Sequence, residues 1–162
     1  MIFDLQNGLD EKEAEISTLR GTLSTMNQSL QSLQREVNDL QKYSRRNSIR
    51  VYGIPEKTGE DTDAEVIEVV KNLLKCPLTT DDIDRSHRTG KPHPTGSEAK
   101  PRPILVKFCS YRKKAEVLKV KRKLENTGIS IHEDLTSRNY DLLKKASKNP
   151  KVEAAWSLIA EF

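Results

Sequence analysis

Residues 2–40 place an apolar side chain at nearly every first and fourth position of a seven-residue repeat. The a positions read Ile2, Leu9, Ile16, Leu23, Leu30 and Val37, and the d positions read Leu5, Lys12, Leu19, Met26, Leu33 and Leu40. Only Lys12 interrupts the seam. Apolar residues recurring every 3.5 residues keep one stripe facing a partner helix, so this segment is expected to form a coiled coil. Helical as far as Asn47, it would be about 70 Å long at roughly 1.5 Å per residue. A domain of about 100 residues has a radius of gyration near 13 Å. The rest of the chain is too small to cover such a seam, which favours self-association. Gly21 falls at an f position, where it weakens the helix without touching the seam, and Gly8 falls at g. The mixture of Ile, Leu, Val and Met leaves two and three strands both open.

Charge divides at the end of that seam. Residues 1–44 carry 4 basic and 7 acidic side chains, whereas residues 45–162 carry 24 and 17. A basic domain on an oligomeric stalk points to a polyanionic partner. The alternative is a Lys-rich surface that only keeps the domain soluble. With 32% charged residues and no run near the roughly 18 apolar residues of a spanning helix, no membrane association is expected. MIFDLQNGLDEKE lacks the basic start and apolar stretch of a secretory leader. Cys76 and Cys109 are too few for a disulfide framework and have no CxxC spacing. The expected location is therefore a reducing compartment, cytoplasmic or also nuclear.

Beyond the seam the periodicity changes. IRVYGI alternates with period two and runs into Gly-Ile-Pro, a strand followed by a turn. Thr62 stands three residues before Glu65, a capping-box signature, and Val66, Val70, Leu73 and Leu74 follow at helical spacing until Cys76-Pro77. DIDRSHR (82–88) reads as a short polar strand, and the Pro/Gly/Ser segment from Thr89 as a loop. ILVKF (104–108) is the clearest strand. YRKKAEVLKVKRKLEN reads as a basic helix ending before Gly128, and ISIHEDL as a fourth strand. Ser137 is expected to cap a helix from Arg138 to about Lys148, closed by Pro150.

The expected fold class is α+β. A coiled-coil helix (1–46) precedes a ferredoxin-like βαββαβ domain (47–135), the plan that includes the RNA-recognition motif, and a truncated helical tail (136–162) follows.

YSRRNSIRVYGIPE directly after a coiled coil, followed by DIDRSHRTG, RPILVKF and ISIHEDLTSR, resembles the first-open-reading-frame protein of LINE-type retrotransposons, the transposase-22-like family. The resemblance extends from the coil to about Lys148. It implies a trimeric coil, an RNA-recognition-motif domain and a C-terminal domain that clamps single-stranded nucleic acid. It also implies packaging of element RNA into ribonucleoprotein particles, with nucleic-acid chaperone activity. After Pro150 the sequence reads only KVEAAWSLIAEF. The family continues there into a strand hairpin and more helix, so the C-terminal domain is expected to be incomplete.

Alternation in IRVYGI sends Ile49 and Val51 inward and Arg50 and Tyr52 outward. In RPILVKF it sends Ile104, Val106 and Phe108 inward and Leu105 and Lys107 outward. One aromatic on the open face is a poor stacking platform, better suited to phosphate contacts than to base reading. The resemblance assigns RNA contact to Arg50, a basic position to Arg88 and an arginine position to Lys107. Ser48 stands where many members have Asn. Arg45 and Arg46 lie at the joint between stalk and domain. The candidate contact set is Arg45, Arg46, Ser48, Arg50, Tyr52, Arg85, Arg88 and Lys107. Arg112, Lys113, Lys114, Lys119, Lys121, Arg122 and Lys123 form the densest basic run, expected on a solvated outer face. Val117, Val120 and Leu124 share one side of that helix and Ala115 and Leu118 lie elsewhere, which leaves its buried face open.

His87, His93 and His132 have no metal-ligand spacing with each other or with the cysteines. No phosphate-binding Gly-rich loop, nucleophile elbow or triad is present. No cofactor and no enzymatic activity are expected. A zipper-type transcription factor is excluded by order, because its basic region precedes the zipper. The expected partners are single-stranded RNA or DNA and further copies of the chain. A coiled-coil scaffold whose ferredoxin-like domain binds proteins is the alternative, and an inert, decayed element copy is a third.

Overall fold

The helical repeat at the N-terminus forms one continuous helix, α1, over Ile2–Arg45. The computed structural model describes residues 2–92 and 100–152. Residues 93–99 of the expected loop, with His93, and the tail from residue 153 lie outside the described residues, as do the side chains of the seam positions Ile2 and Leu5. Along α1 the seam stands open, from 46% exposure at Ile16 to 70% at Leu40. Lys12, the polar d position, donates to Glu15 at 2.7 Å. The chain divides into two compact units, Met1–Gln41 and Lys42–Phe162.

The second unit is a four-stranded antiparallel sheet with helices. β1 (Ser48–Tyr52) is followed by α2 (Thr62–Val69), β2 (Ile83–Arg88), β3 (Ile104–Phe108), α3 (Tyr111–Val120), β4 (Ser130–Glu133) and α4 (Ser137–Ser147). The strand order is β2-β3-β1-β4 and every neighbouring pair is antiparallel. This element order and strand order agree with the split βαβ plan. β3 spans the residues that alternation predicts. The caps sit one residue earlier than expected. Asp61, rather than Thr62, accepts from the backbone of Asp63 and Ala64. Thr136, rather than Ser137, accepts from Asn139. The helix begun by α2 ends in a wide turn over Val70–Leu74, with Lys75 left-handed at φ 53°.

One face of the sheet carries the core. Ile49 and Val51 of β1, Ile104, Val106 and Phe108 of β3 and Ile131 of β4 are buried against Val66, Val70 and Leu74 of the α2 segment and Val117 and Leu124 of the α3 segment. Each fully buried side chain of this kind contributes about 1.5–3 kcal/mol. A one-residue slip would expose every one of them on a strand, so the apolar face fixes the register. Val117 and Leu124 identify the buried side of α3, with Leu118 and Val120 partly covered.

Lys114 departs from the solvated face expected for its basic run. It is 0% exposed. Its Nζ donates to the Arg46 carbonyl at 2.8 Å and pairs with Glu133 at 3.2 Å. Burial holds its pKa below the ordinary lysine value, and the Glu133 carboxylate opposes that shift. Lys114 therefore ties α3 to Arg46, in the turn before β1, and to β4, rather than facing solvent. Arg112, Lys119, Arg122 and Lys123 are exposed.

Candidate nucleic-acid interface

The opposite face of the sheet carries the polar residues. Arg50 is paired with His132 on β4 and with Leu105 on β3, and Leu105 in turn with His87 on β2. A row His87, Leu105, Arg50, His132 thus crosses all four strands on this face. Tyr52 and Ser130 form the next pair toward one end. Lys107 and Arg85 pair toward the other.

A groove of 1270 Å³ lies over the β1–β4 side of this face and extends to α4. Arg45, Arg50, Lys100 and Lys121 supply its basic lining, against the acidic Glu133 and Asp141. It exceeds the roughly 300–1,000 Å³ of small-molecule sites. Gly53 and Gly128 allow the backbone to close at its end. Gly53 has φ +88°, and a Cβ there would lie 2.1 Å from the Gly128 carbonyl oxygen, so only glycine fits.

Two rings meet in the groove. Tyr52 and His132 are edge to face, with centroids 5.5 Å apart and planes at 82°. His132 Nε2 lies 3.2 Å from Ser130 Oγ. Partial burial first, and then the charge of Lys121, hold the His132 pKa below the ordinary imidazole value. The ring is therefore largely neutral near pH 7 and offers an aromatic edge rather than a cation. Tyr140 of α4 is a third ring on the lining.

The basic residues expected as contacts separate into distinct positions. Arg45 and Arg50 converge on one carboxylate: Arg45 Nη1 donates to Asp134 Oδ1 at 3.2 Å and Arg50 Nε donates to the same oxygen at 2.7 Å. Both arginines and Tyr52 line the groove. Arg85 is exposed, and Lys107 reaches Asp84 at 3.6 Å toward the β2 edge of the same face. Arg46 turns back on Tyr43, with its guanidinium 3.8 Å from the ring centroid and Nη1 2.9 Å from the Tyr43 carbonyl. Ser48 is buried, which corrects its expected place among the open contacts.

Arg88 requires a larger correction. It pairs with Ile104, a core residue, and so lies on the helix side of the sheet. Its Nε and Nη2 donate to the Glu60 carboxylate at 2.8 Å each, Nη1 to the carbonyls of Ile54 and Arg102, and Nη2 also to that of Pro55. All five guanidinium donors are engaged within the fold. The Arg88 bond also holds the Glu60 carboxyl below its usual pKa. Arg102 clamps the same loop. Its Nε and Nη2 donate to Glu56 Oε2 at 3.0 and 2.8 Å, and they hold that carboxyl at about 2. Arg88 and Arg102 together fix the β1–α2 loop to the ends of β2 and β3.

His132, Lys121, Tyr140 and Asp134 were absent from the expected site. Alternation in ISIHE could have found His132, because Ile131 inward places Ser130 and His132 outward. Among the described residues, no group of His, Cys, Asp and Glu is arranged to hold a metal ion. No described helix is long and apolar enough to cross a membrane. No family model matches the chain.

Proposed function

We propose that the chain is a non-enzymatic, self-associating protein that binds single-stranded nucleic acid, RNA foremost. In this reading α1 is the stalk of a coiled coil and the sheet unit is an RNA-recognition-motif-like domain. The open-sheet groove carries the reading: Arg45, Arg50, Lys100 and Lys121 surround the Tyr52–His132 ring pair. Cations beside exposed ring faces and edges are what a single strand needs, with phosphates neutralised and bases resting on aromatic side chains. The motifs shared with LINE-type first-open-reading-frame proteins extend the proposal to packaging element RNA into ribonucleoprotein particles, with chaperone action on it.

Ultraviolet crosslinking in cells, followed by stringent recovery of the chain, tests this. The expected result is covalently attached RNA, with crosslinked peptides containing Tyr52 or His132. Recovery of protein partners with no RNA would overturn the reading and favour a scaffold whose sheet domain binds protein.

A further inference from the structure

We propose that Asp134 is the positioning residue of a seat for one phosphodiester group, formed by the free sides of Arg45 and Arg50. The proposal rests on the nucleic-acid reading and assigns its phosphate contact. Asp134 follows β4 and is 6% exposed. Its backbone N–H donates to the Ser48 carbonyl at 3.4 Å. Its Oδ1 accepts from two guanidinium groups that come from different elements, Arg45 at the end of α1 and Arg50 on β1. Arg45 Nη1 is held a second time, by the Leu135 carbonyl at 3.2 Å.

Two cations side by side repel each other, and the buried carboxylate offsets that repulsion and sets their orientation. The bonds to Asp134 and Leu135 occupy Arg50 Nε and Arg45 Nη1. Both Nη groups of Arg50, and Nε and Nη2 of Arg45, have no partner among the described residues. The two side chains remain 31% and 35% exposed on the groove. A guanidinium held through one edge presents its other N–H groups as a rigid fork, the geometry that matches phosphate oxygens.

Charge identifies the ligand class. Two arginines and one aspartate leave one net positive charge, which one singly charged phosphodiester neutralises. The phosphate adds to Asp134 and does not replace it. Displacement would leave a buried carboxylate without its ion pairs.

The test is the binding of the full chain to a fluorescent single-stranded RNA across a salt series, with thermal melts to confirm folding. Asp134→Ala frees both guanidinium groups to disorder. Its affinity is expected to fall about tenfold, the equivalent of about 1.4 kcal/mol. Its salt slope should shrink by about 0.7 for each phosphate that the variant no longer neutralises. Asp134→Asn retains an acceptor for Arg50 Nε and should bind at least as tightly as the parent. Arg50→Lys retains the charge but not the fork, and about a tenfold loss is expected there as well. This last variant also answers the question should Asp134→Ala fail to fold. Asp134→Ala binding as tightly as the parent or more tightly would overturn the proposal, as would Arg50→Lys at parent affinity. A parent chain that binds no RNA would overturn the functional reading itself, a result distinct from equal binding by parent and variants.

Discussion

Replacing Leu23 or Leu30 by proline is expected to lower affinity for single-stranded RNA by about 10²–10⁴-fold, the avidity gained by linking sites. Both residues lie at a positions in the middle of α1, and they are 60% and 54% exposed in the single chain. Proline there removes a backbone donor and clashes with the preceding turn, at a cost of about 3 kcal/mol or more. In the proposed coil, that break separates the copies. Each sheet domain then meets RNA alone, through one groove with few phosphate contacts. Sedimentation should show the parent assembled and the variants monomeric, while the melting of the sheet domain stays unchanged. Variants that are monomeric yet bind RNA with parent affinity would remove the coil from the mechanism.

Arg88→Ala is expected to destabilise the sheet unit by about 3–5 kcal/mol, the cost of removing one partner of a buried ion pair. The Arg88 and Glu60 side chains are only 5% and 11% exposed. Loss of the guanidinium strips Glu60 of its cation and leaves the carbonyls of Ile54, Pro55 and Arg102 without this donor. The effect has a defined pH dependence. Arg88 lowers the folded-state pKa of Glu60 from 4.5. The resulting stabilisation is therefore fully present above that value and is lost as pH falls through the lowered folded value. Denaturant melts should show the gap between parent and variant narrowing on acidification. Near neutral pH, and well below the melting temperature, the folded variant should retain parent RNA affinity. A normal melt combined with weakened binding would return Arg88 to the contact surface.

Arg88 also shows where the sequence stopped being legible. Alternation read β1 and β3 correctly, because Ile49, Val51, Ile104, Val106 and Phe108 mark one face without interruption. In β2 only Ile83 marks the core, and the register shifts between Ile83 and Arg85. That irregularity reverses the alternation. Arg85 and His87 turn to the open face, and Ser86 and Arg88 turn to the helices. A strand with one apolar residue carries no signal for such a shift. Lys114 reads as one of a solvated basic run, and its burial is hidden for a different reason. It stands three residues before Val117 on the buried side of α3, a spacing visible in the sequence but obscured by the basic residues around it. Asp134 and the wall contributed by α4 depend on tertiary packing, and no local pattern announces them. The caps at Asp61 and Thr136 were each displaced by one residue, because two adjacent side chains could serve in either place.

Affinity of the full chain for a single-stranded RNA, measured from about 50 to 200 mM salt, tests most directly whether the groove works through phosphate contacts. The logarithm of the binding constant should fall linearly with the logarithm of salt concentration. The slope should be near −0.7 for each phosphate neutralised, and it should change little with RNA sequence. Affinity that stays constant across that range would contradict the account.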